Sequence, residues 1–366
     1  MILEKDVCIV GAGPGGALLG LLLAKQRISV SVLERHTGID KEFRGEHLNQ
    51  EGEAILRQYG LYEKVEHEGL LLMERVEYWQ DGKAFKTISP SGDERHVGIH
   101  VPQRNLLSVL LGESQVFPHY RLEMGAKVTD IYYDENHSHM VVKAKKDSQE
   151  VTVHCKVVIG ADGRFSTVRK LTGIPYSTYK HGYDLLWAKI QSPSGWEPTI
   201  RQALIQQKQL ALFTQAGGYV QIGWNIEEGA FPLLRKQSFE PFLQLAIDAF
   251  PDLENSLRKQ IHSWNDFILL NVHSSQCETW VQDGVVLMGD AAHTMSPTGA
   301  YGINAALADA NVLSELLVDA LQAGDVSMER LKQFETQRWD AVLTLQKMQR
   351  LKEETYIENF PVPASV

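Results

Sequence analysis

The segment DVCIVGAGPGGALLGLLLAKQRISVSVLER, residues 6–35, decides the fold of this chain. Its apolar run at 6–10 predicts a buried strand, and the glycine-rich turn after it leads into a helix. A second strand is predicted over 28–33 and is closed by Glu34. The order of strand, tight turn, helix and strand is typical of the first βαβ unit of a dinucleotide-binding α/β fold.

The turn in this segment carries the pattern G-x-G-x-x-G. Gly11 allows the tight turn, Gly13 lets the backbone approach a pyrophosphate, and Gly16 lets the helix pack closely on the strand. The N-terminus of the helix attracts phosphates, and Pro14 fits its first turn because no backbone N–H is needed there. Glu34 can accept hydrogen bonds from a ribose diol. These features predict a bound FAD or NAD, because an acid at this position disfavours the phosphorylated ribose of NADP.

The composition is that of a soluble globular chain: 366 residues, 43% hydrophobic and 22% charged, with a formal net charge of −10. This length suggests two domains, or one large domain with an insert. No basic block stands out, which makes nucleic acid and anionic membranes poor partners. The longest strongly apolar stretch, near 17–24, is too short to span a bilayer. A strand so close to Met1 leaves no room for a cleaved signal peptide, so we expect a cytoplasmic protein.

Cysteines and histidines give no metal signal. Cys8, Cys155 and Cys277 form no Cys-x-x-Cys pair, so neither a zinc site nor a disulfide framework is indicated. The His-Ser-His run at 137–139 lies in a polar stretch between two predicted strands and is interpreted as a solvated hairpin tip. We therefore expect no metal site.

Two distant segments decide between FAD and NAD. GADGRFSTVRKL, residues 160–171, places Asp162 after a buried strand, and GDAAHTMSPTGAYGINAALADA, residues 289–310, places Asp290 after another. They resemble the Asp-Gly and Gly-Asp motifs of the class A flavin-dependent aromatic monooxygenases, the family typified by para-hydroxybenzoate hydroxylase. With the glycine-rich turn they span most of the chain, so the resemblance is specific and implies non-covalent FAD.

The resemblance implies an α/β fold, with a Rossmann-like FAD-binding domain of the para-hydroxybenzoate hydroxylase (GR2) type and an inserted antiparallel-sheet substrate domain. The expected FAD-binding domain is discontinuous and comprises 1–75, 97–175 and 272–366. The expected substrate domain comprises 76–96 and 176–271, where polar and apolar residues alternate. A long final helix starts at Ser327, and its apolar stripe would pack on the FAD domain or form a dimer contact. We expect a monomer or a homodimer.

The resemblance also implies which residues contact the cofactor. In the family, the acid of the Gly-Asp motif binds the ribityl or pyrophosphate part of FAD, and the loop after it passes beside the isoalloxazine ring. The helix after this loop would point its N-terminus at the flavin N1/O2 edge, where the reduced ring is negative. An Arg following the second strand contacts FAD in family members, and a helix-leading Arg or Gln fits two registers here. The assigned residues are Gly11, Gly13, Pro14, Gly15, Gly16, Glu34, Arg35, Arg44, Gln103, Arg104, Asp162, Asp290, Pro297, Gly299, Gly302, Ile303 and Asn304.

The implied reaction is a monooxygenation. NAD(P)H reduces FAD, O₂ adds at flavin C4a, and the resulting hydroperoxide passes one oxygen atom to the substrate while water is excluded. No second G-x-G-x-x-G unit with a following acid occurs, in keeping with a nicotinamide that binds transiently. No side chain is assigned as an acid or base. His47 is a candidate, although a plain loop histidine is favoured, and His293 is expected to be structural.

The inner face of the sheet and the loop after Asp290 would form the substrate pocket. Its candidate residues are Phe213, Gln215, Tyr219, Gln221, Trp224 and Pro297. The segment LALFTQAGG, residues 210–218, has no Arg where the benzoate hydroxylase binds a carboxylate, and the flanking Arg201 and Lys208 are expected to face solvent. Because a carboxylate buried without a cation is strongly disfavoured, we expect an uncharged small aromatic or polycyclic substrate, hydroxylated or epoxidised.

Three alternatives stay open. A flavin-dependent halogenase has the same fold, but its Trp-x-Trp-x-Ile-Pro signature does not occur in this sequence. An isoprenoid reductase of the same fold would associate with membranes and be inactive toward O₂. A non-enzymatic flavoprotein would bind FAD without substrate-stimulated NAD(P)H consumption.

Overall fold

A computed structural model describes residues 1–40, 45–92 and 94–360. Its strands are β1 (Ile2–Glu4), β2 (Val7–Val10), β3 (Val30–Glu34), β4 (His47–Leu48), β5 (Leu71–Leu72), β6 (Arg75–Gln80), β7 (Lys83–Ile88), β8 (Ile99–His100), β9 (Tyr120–Met124), β10 (Ala126–Asp134), β11 (His139–Lys146), β12 (Gln149–Cys155), β13 (Val157–Gly160), β14 (Tyr176–Gln191), β15 (Thr199–Ile205), β16 (Lys208–Gln215), β17 (Tyr219–Glu227), β18 (Ile268–Cys277), β19 (Val281–Gln282) and β20 (Val285–Leu287). Its helices are α1 (Pro14–Lys25), α2 (Gln50–Gln58), α3 (Tyr62–Glu68), α4 (Gln103–Gln115), α5 (Thr167–Thr172), α6 (Phe231–Leu234), α7 (Glu240–Ala249), α8 (Glu254–Gln260), α9 (Tyr301–Ala323) and α10 (Met328–Glu354).

A six-stranded sheet forms the dinucleotide-binding half, in the order β19-β20-β13-β2-β3-β9. Its neighbouring strands are parallel except for β19 and β20. The strands of such a sheet are buried on both faces, and helix α1 is buried all round between the sheet, α4 and α9. The predicted βαβ unit is confirmed. Its second strand begins two residues later than expected, because residues 26–27 form a turn in which Arg27 has a left-handed φ of 63°.

A seven-stranded sheet follows the order β18-β14-β17-β16-β15-β6-β7 and is antiparallel except between β15 and β6. Side chains alternate between its two faces. On β16, Leu210 and Leu212 belong to a core formed with α6, α7 and α8, whereas Ala211 and Phe213 face a cavity. The predicted antiparallel sheet is thus confirmed with one parallel pair, while the division of the chain into two domains stays a prediction.

Two smaller sheets complete the strand pairing, in the orders β1-β12-β11-β10 and β4-β8-β5. The second brings His47 opposite His100 in register. No helix in the described ranges has both the length and the apolar composition needed to cross a bilayer.

The last helix, α10, begins at Met328, and the hydroxyl of Ser327 accepts a hydrogen bond from the backbone N–H of Arg330. Its first half buries apolar side chains, Leu331 and Phe334 among them. The apolar stripe continues into the second half, where Val342 is fully buried and Leu345 packs on the core, whereas Leu351 near the end is 58% exposed. The second half also buries the polar side chains of Gln346 and Gln349, which donate to backbone carbonyls of the segment before α9.

Candidate functional site

A cavity of about 990 Å³ lies between the six-stranded and seven-stranded sheets. Its walls come from the glycine-rich turn, the segments after β3 and β13, the loop before α9, and one face of the seven-stranded sheet. This volume is at the upper end of the range for ligand and cofactor sites. All three sequence motifs therefore border a single cavity.

The glycine-rich turn has the geometry of a phosphate-binding cradle. Gly11 has a φ of 105°, and a Cβ on it would lie 2.4 Å from the carbonyl oxygen of Ala161. A Cβ on Gly16 would lie 2.1 Å from the carbonyl oxygen of Gly11, whereas Gly13 has nothing within 4 Å of its Cβ position. Helix α1 starts here without a side-chain cap, so its first N–H groups suit an anion. The residues of this cavity wall are Gly11, Gly13, Pro14, Gly15 and Gly16.

Glu34 ends β3 with its carboxylate in the cavity wall. Its Oε2 accepts the backbone N–H of Ala12, and its Oε1 accepts that of His36, both at 2.9 Å. The residue is 5% exposed, and Arg35 beside it also lines the cavity. Backbone donors thus hold this acid at the place where the motif positions a ribose.

Asp290 lies in a short 3₁₀ turn, Gly289–Ala291, directly after β20 and lines the cavity. Its side chain is 32% exposed, into the cavity, and its Oδ2 is 4.0 Å from Nε of Arg164. Burial raises the pKa of Asp290, and the charge of Arg164 opposes this rise. An acid in this position has acceptor capacity for a hydroxyl or amide donor of a ligand.

A buried acid, Asp309, fixes the turn that carries Asp290. Its Oδ2 accepts the backbone N–H of Gly289 at 2.9 Å and contacts Nε2 of His293 at 2.8 Å. Nε of Arg338 donates to Oδ1 at 2.8 Å. Although burial opposes it, His293 and Arg338 hold the pKa of Asp309 below its ordinary value. The structure therefore places His293 in a buried ion-pair cluster beneath the turn.

The loop before α9 borders the cavity with strained backbone. Gly299 has a φ of 75°, and Ala300 has a φ of 54° that non-glycine residues rarely adopt. Helix α9 then begins with no side-chain cap. The loop contributes Pro297 and Gly299 to the cavity wall, and the first turn of α9 contributes Gly302 and Ile303. Backbone N–H groups and the positive end of the α9 dipole therefore lie where negative charge could be stabilised.

Asn304 does not line the cavity, unlike Pro297, Gly299, Gly302 and Ile303 of the same segment. It is 2% exposed, and its Nδ2 donates to the carbonyls of His47 and Ala300 at 3.2 and 2.9 Å. Its Oδ1 accepts the backbone N–H of Asn49 at 3.1 Å. The amide joins α9 to the segment around β4, so its contacts are internal rather than directed at a ligand.

Asp162 lines the cavity and also caps a helix. Its Oδ2 accepts the backbone N–H of Thr167 at 2.6 Å and that of Val168 at 3.2 Å, and Ser166 donates its hydroxyl to Oδ1 at 2.5 Å. Burial raises the pKa of this carboxyl, while these donors oppose the rise. Most of its acceptor positions are thus occupied within its own loop.

Gln103 and Arg104, the two candidates for the cofactor contact at the start of α4, lie in different environments. Gln103 is 7% exposed and lines the cavity. The Arg104 side chain is 70% exposed and pairs with Asp40, its Nε 3.2 Å from Oδ1, because it points out of the helix away from the cavity. Arg44, predicted to contact FAD, lies outside the described residues.

These features fit a bound FAD on structural grounds. Two helix N-termini without side-chain caps, α1 and α9, border the same cavity. The glycine turn leaves open space at Gly13, and two acids, Glu34 and Asp290, lie at the ends of two strands beside it. Phosphates suit the first helix, and a ribose or ribityl chain suits the acids.

The seven-stranded sheet supplies the remaining wall through residues of one face. Phe213, Gln215 and Gln221 line the cavity, as predicted, together with Tyr183 and Trp187 of β14, which the sequence interpretation missed. Extending the period-two alternation into residues 183–190 would have found both. This wall is largely apolar, with amides and a phenol at intervals.

Two predicted pocket residues lie elsewhere. Trp224 is on the opposite face of β17, because it differs by an odd number of residues from Gln221, and its ring stacks on Phe242 with centroids 3.7 Å apart. Tyr219 is on the cavity face but at the far end of its strand, where Lys189 lies 4.5 Å above its ring. Neither borders the cavity.

Arg201 is buried rather than facing solvent as predicted. It is 7% exposed, with Nη1 2.6 Å from Oδ2 of Asp252 and Nε 3.3 Å from Oε2 of Glu77. Its guanidinium lies 4.4 Å and 3.8 Å from the ring centroids of Trp79 and Trp196. The carboxylates of Glu77 and Asp252 pair with its charge, and Arg201 does not line the cavity.

His47 lines the cavity and packs against backbone. A Cβ on Gly98 would lie 2.4 Å from its Nε2. Burial lowers the pKa of His47 to about 4, and the neighbouring His100 and His96 add to the effect. The imidazole is therefore neutral at neutral pH.

Comparisons with known proteins agree with this geometry. The family described as "FAD binding domain" matches residues 4–347. The 6-methylpretetramide 4-monooxygenase of Streptomyces rimosus is 32% identical over 331 residues, which is 88% of this chain and 78% of that protein. The kynurenine 3-monooxygenase of Salinispora arenicola is 26% identical over 340 residues, or 86% and 72%.

A solved structure shows the same fold. PqsL, a probable FAD-dependent monooxygenase from Pseudomonas aeruginosa, superimposes with a TM-score of 0.83 at 19% identity, covering 96% of each chain. Because the family match spans the glycine-rich turn, the Asp-Gly segment and the Gly-Asp segment together, the chain belongs to the FAD-binding domain family of flavin-dependent monooxygenases.

Proposed function

We propose that this protein hydroxylates or epoxidises an uncharged aromatic or polycyclic small molecule, using FAD, NAD(P)H and O₂. The observation that carries the proposal is that the FAD-type motifs and the apolar face of the seven-stranded sheet border one cavity. The relatives from Streptomyces rimosus and Salinispora arenicola are named for 6-methylpretetramide and kynurenine. Their names favour a ring-bearing substrate here as well.

Bound FAD supplies electron transfer from NAD(P)H to O₂. The residues of this chain bind it, orient the substrate and exclude water. The N-terminus of α9, with the backbone at Gly299 and Ala300, would stabilise negative charge on the reduced ring. Trp187 and Phe213, whose ring centroids are 6.2 Å apart, give the opposite wall an aromatic surface that disfavours water.

The charges around the substrate wall support a neutral substrate. Among the described residues by which the seven-stranded sheet lines the cavity, none is Lys or Arg. Lys352 of α10 also borders the cavity, but it is exposed and its Nζ is 2.5 Å from the hydroxyl of Tyr301. A benzoate packed against this wall would have to lose its hydration without a cation from the described sheet residues to replace it.

The test compares a phenol or quinolone with its carboxylated analogue as substrates of the FAD-loaded protein. NAD(P)H consumption, product and H₂O₂ are measured together. We expect coupled oxidation of the uncharged compound and a much lower kcat/KM for the carboxylate. Better turnover of the carboxylate with little H₂O₂ would contradict the proposal, and loss of that turnover in Lys352→Met would identify the cation responsible. FAD binding without any substrate-stimulated NAD(P)H consumption would indicate a non-enzymatic flavoprotein.

A further inference from the structure

Glu46 brings a carboxylate into the cavity wall where the start of α4 meets the seven-stranded sheet. Its Oε1 accepts the backbone N–H of Gln103 at 2.9 Å. Its Oε2 accepts Nε2 of His100 at 3.1 Å and Nε2 of Gln215 at 3.3 Å. A carboxylate offers about four acceptor positions, so these donors leave room for another donor on a side chain that is 16% exposed.

The protonation of His100 follows from its second contact. Its Nδ1 accepts the backbone N–H of Ala216 at 3.1 Å. A ring nitrogen that accepts a hydrogen bond carries no proton, so the proton is on Nε2 and is donated to Glu46. In this arrangement His100 is neutral. All hydrogen-bond donors that contact the Glu46 carboxylate in the described part of the chain are therefore uncharged.

The other ionisable groups that the described part of the chain places around this site do not compensate its negative charge. His47, on the strand paired with that of His100, is neutral at neutral pH because burial, His100 and His96 lower its pKa to about 4. The ring of His96 is directed to a different acid, with Nε2 3.2 Å from Oε2 of Glu53. The described sheet residues of this wall include no Lys or Arg, so the sheet supplies no cation between Glu46 and a ligand that packs on it.

We propose that Glu46 determines specificity in the substrate pocket: its carboxylate accepts a hydrogen bond from a hydroxyl or ring N–H of a neutral aromatic ligand and rejects the corresponding anion. This rests on the proposed function, since it requires an aromatic ligand in this cavity. Hydrogen bonds to an ionised acceptor are stronger than those between neutral groups, and two like charges at close range repel each other. Gln215 fixes the carboxylate against the sheet, because its Nε2 also donates to Oε1 of Gln221.

The experiment uses 4-nitrophenol with the FAD-loaded protein, because the anion of this probe absorbs visible light and its neutral form does not. Binding is followed at a pH where half of the free probe is ionised. We expect the anion band to decrease on binding, since the pocket takes up the neutral form. 4-Nitroanisole, which has the same ring without the donor, should bind wild-type protein about tenfold more weakly than neutral 4-nitrophenol.

Glu46→Gln should lower the preference for the neutral over the anionic probe by about tenfold or more, since it removes the charge and keeps the shape. It should also narrow the difference between 4-nitrophenol and 4-nitroanisole. Glu53→Gln is the matched control, because it removes a negative charge from a neighbouring carboxylate that does not border the cavity. This control should keep the wild-type preference.

Four results would overturn the inference. These are no measurable binding of 4-nitrophenol, equal or stronger binding of the anion by wild-type protein, an unchanged preference in Glu46→Gln, and weakened FAD binding in Glu46→Gln with unchanged probe selectivity. The last would mean that the carboxylate faces the flavin. Flavin content and NAD(P)H consumption with an aromatic panel test the proposed function separately, so a protein active in those assays yet indifferent to Glu46→Gln would contradict this inference alone.

Discussion

The carboxylate of Glu353 lies 2.5 Å from Nδ1 of His181, and this contact joins helix α10 to strand β14 of the seven-stranded sheet. The same carboxylate accepts the hydroxyl of Ser296 at 2.7 Å. One turn earlier on α10, Gln349 donates Nε2 to the carbonyls of Ser296 and Thr298, both at 2.7 Å. The last helix therefore braces the loop beside the proposed flavin site against the substrate sheet.

The Glu353 contacts predict a dependence of stability on pH. Although burial opposes it, hydrogen bonds from His181, Thr298 and Ser296 hold the pKa of Glu353 below its ordinary value of 4.5. A carboxylate with a lowered pKa stabilises the fold above 4.5, and this contribution is lost as the pH falls through the lowered value. Urea unfolding from neutral to acidic pH should therefore show a steeper loss of unfolding free energy below 4.5 in wild-type protein than in Glu353→Gln. If the unfolding free energy falls equally steeply below pH 4.5 in both proteins, these contacts do not lower the pKa of Glu353.

Gln349→Ala should loosen the loop at Ser296 and Thr298 without removing any residue of the cavity wall. Once a substrate is known, the expected result is a larger share of NAD(P)H electrons released as H₂O₂, because the loop no longer excludes water as well. FAD affinity should change little. Gln337→Ala, at an exposed position on the same helix, is the control. If both variants release the wild-type fraction of electrons as H₂O₂, the Gln349 hydrogen bonds do not help the loop to exclude water.

Gly223→Ala should shrink the substrate end of the cavity. A Cβ on Gly223 would lie 2.9 Å from Cζ3 of Trp187, so the added methyl group displaces the indole, and both residues line the cavity. We expect weaker binding of polycyclic ligands than of single-ring ligands, with FAD binding retained. Gly112→Ala on α4 is the control, since nothing lies within 4 Å of its Cβ position. Unchanged size selectivity in Gly223→Ala would show that the indole yields in another direction.

Much of this fold could be predicted from sequence because its signals are local. The buried run of β2, the turn at Gly11 and the acid at Glu34 follow one another within residues 6–35, and each needs only backbone geometry to be interpreted. The face of β16 that carries Phe213 also followed from alternation. Trp224 was misplaced because it was grouped with Gln221, although the odd spacing between them puts the two side chains on opposite faces of the strand.

Other features depend on contacts between distant residues. Arg201 looked solvent-exposed because its partners Glu77 and Asp252 are far away in sequence. Glu46 contacts Gln215 directly, but the two are 169 residues apart in sequence, so nothing local distinguishes this acid from one on the surface. Such long-range pairs set the electrostatics of the pocket, and periodicity cannot reveal them.

Asp290→Ala and Glu34→Ala should each weaken FAD binding more than they change folding. Losing a hydrogen bond to a charged group costs about 1.5–3 kcal/mol, or roughly tenfold to a hundredfold in Kd. The measurement is flavin fluorescence during titration of the apoprotein with FAD. Asp319→Ala, at an exposed position on α9, should leave the Kd unchanged. Wild-type affinity in both cavity variants would remove these acids from the proposed site.

The most direct test of the account is the flavin content of the purified protein. We expect a yellow protein with about one FAD per chain, or a colourless one that takes up FAD to that ratio, because one glycine turn and one pair of strand-end acids border the cavity. Acid precipitation should release the flavin, since it is bound non-covalently. A folded protein that purifies without flavin and gains no flavin absorbance after incubation with FAD would contradict the central claim.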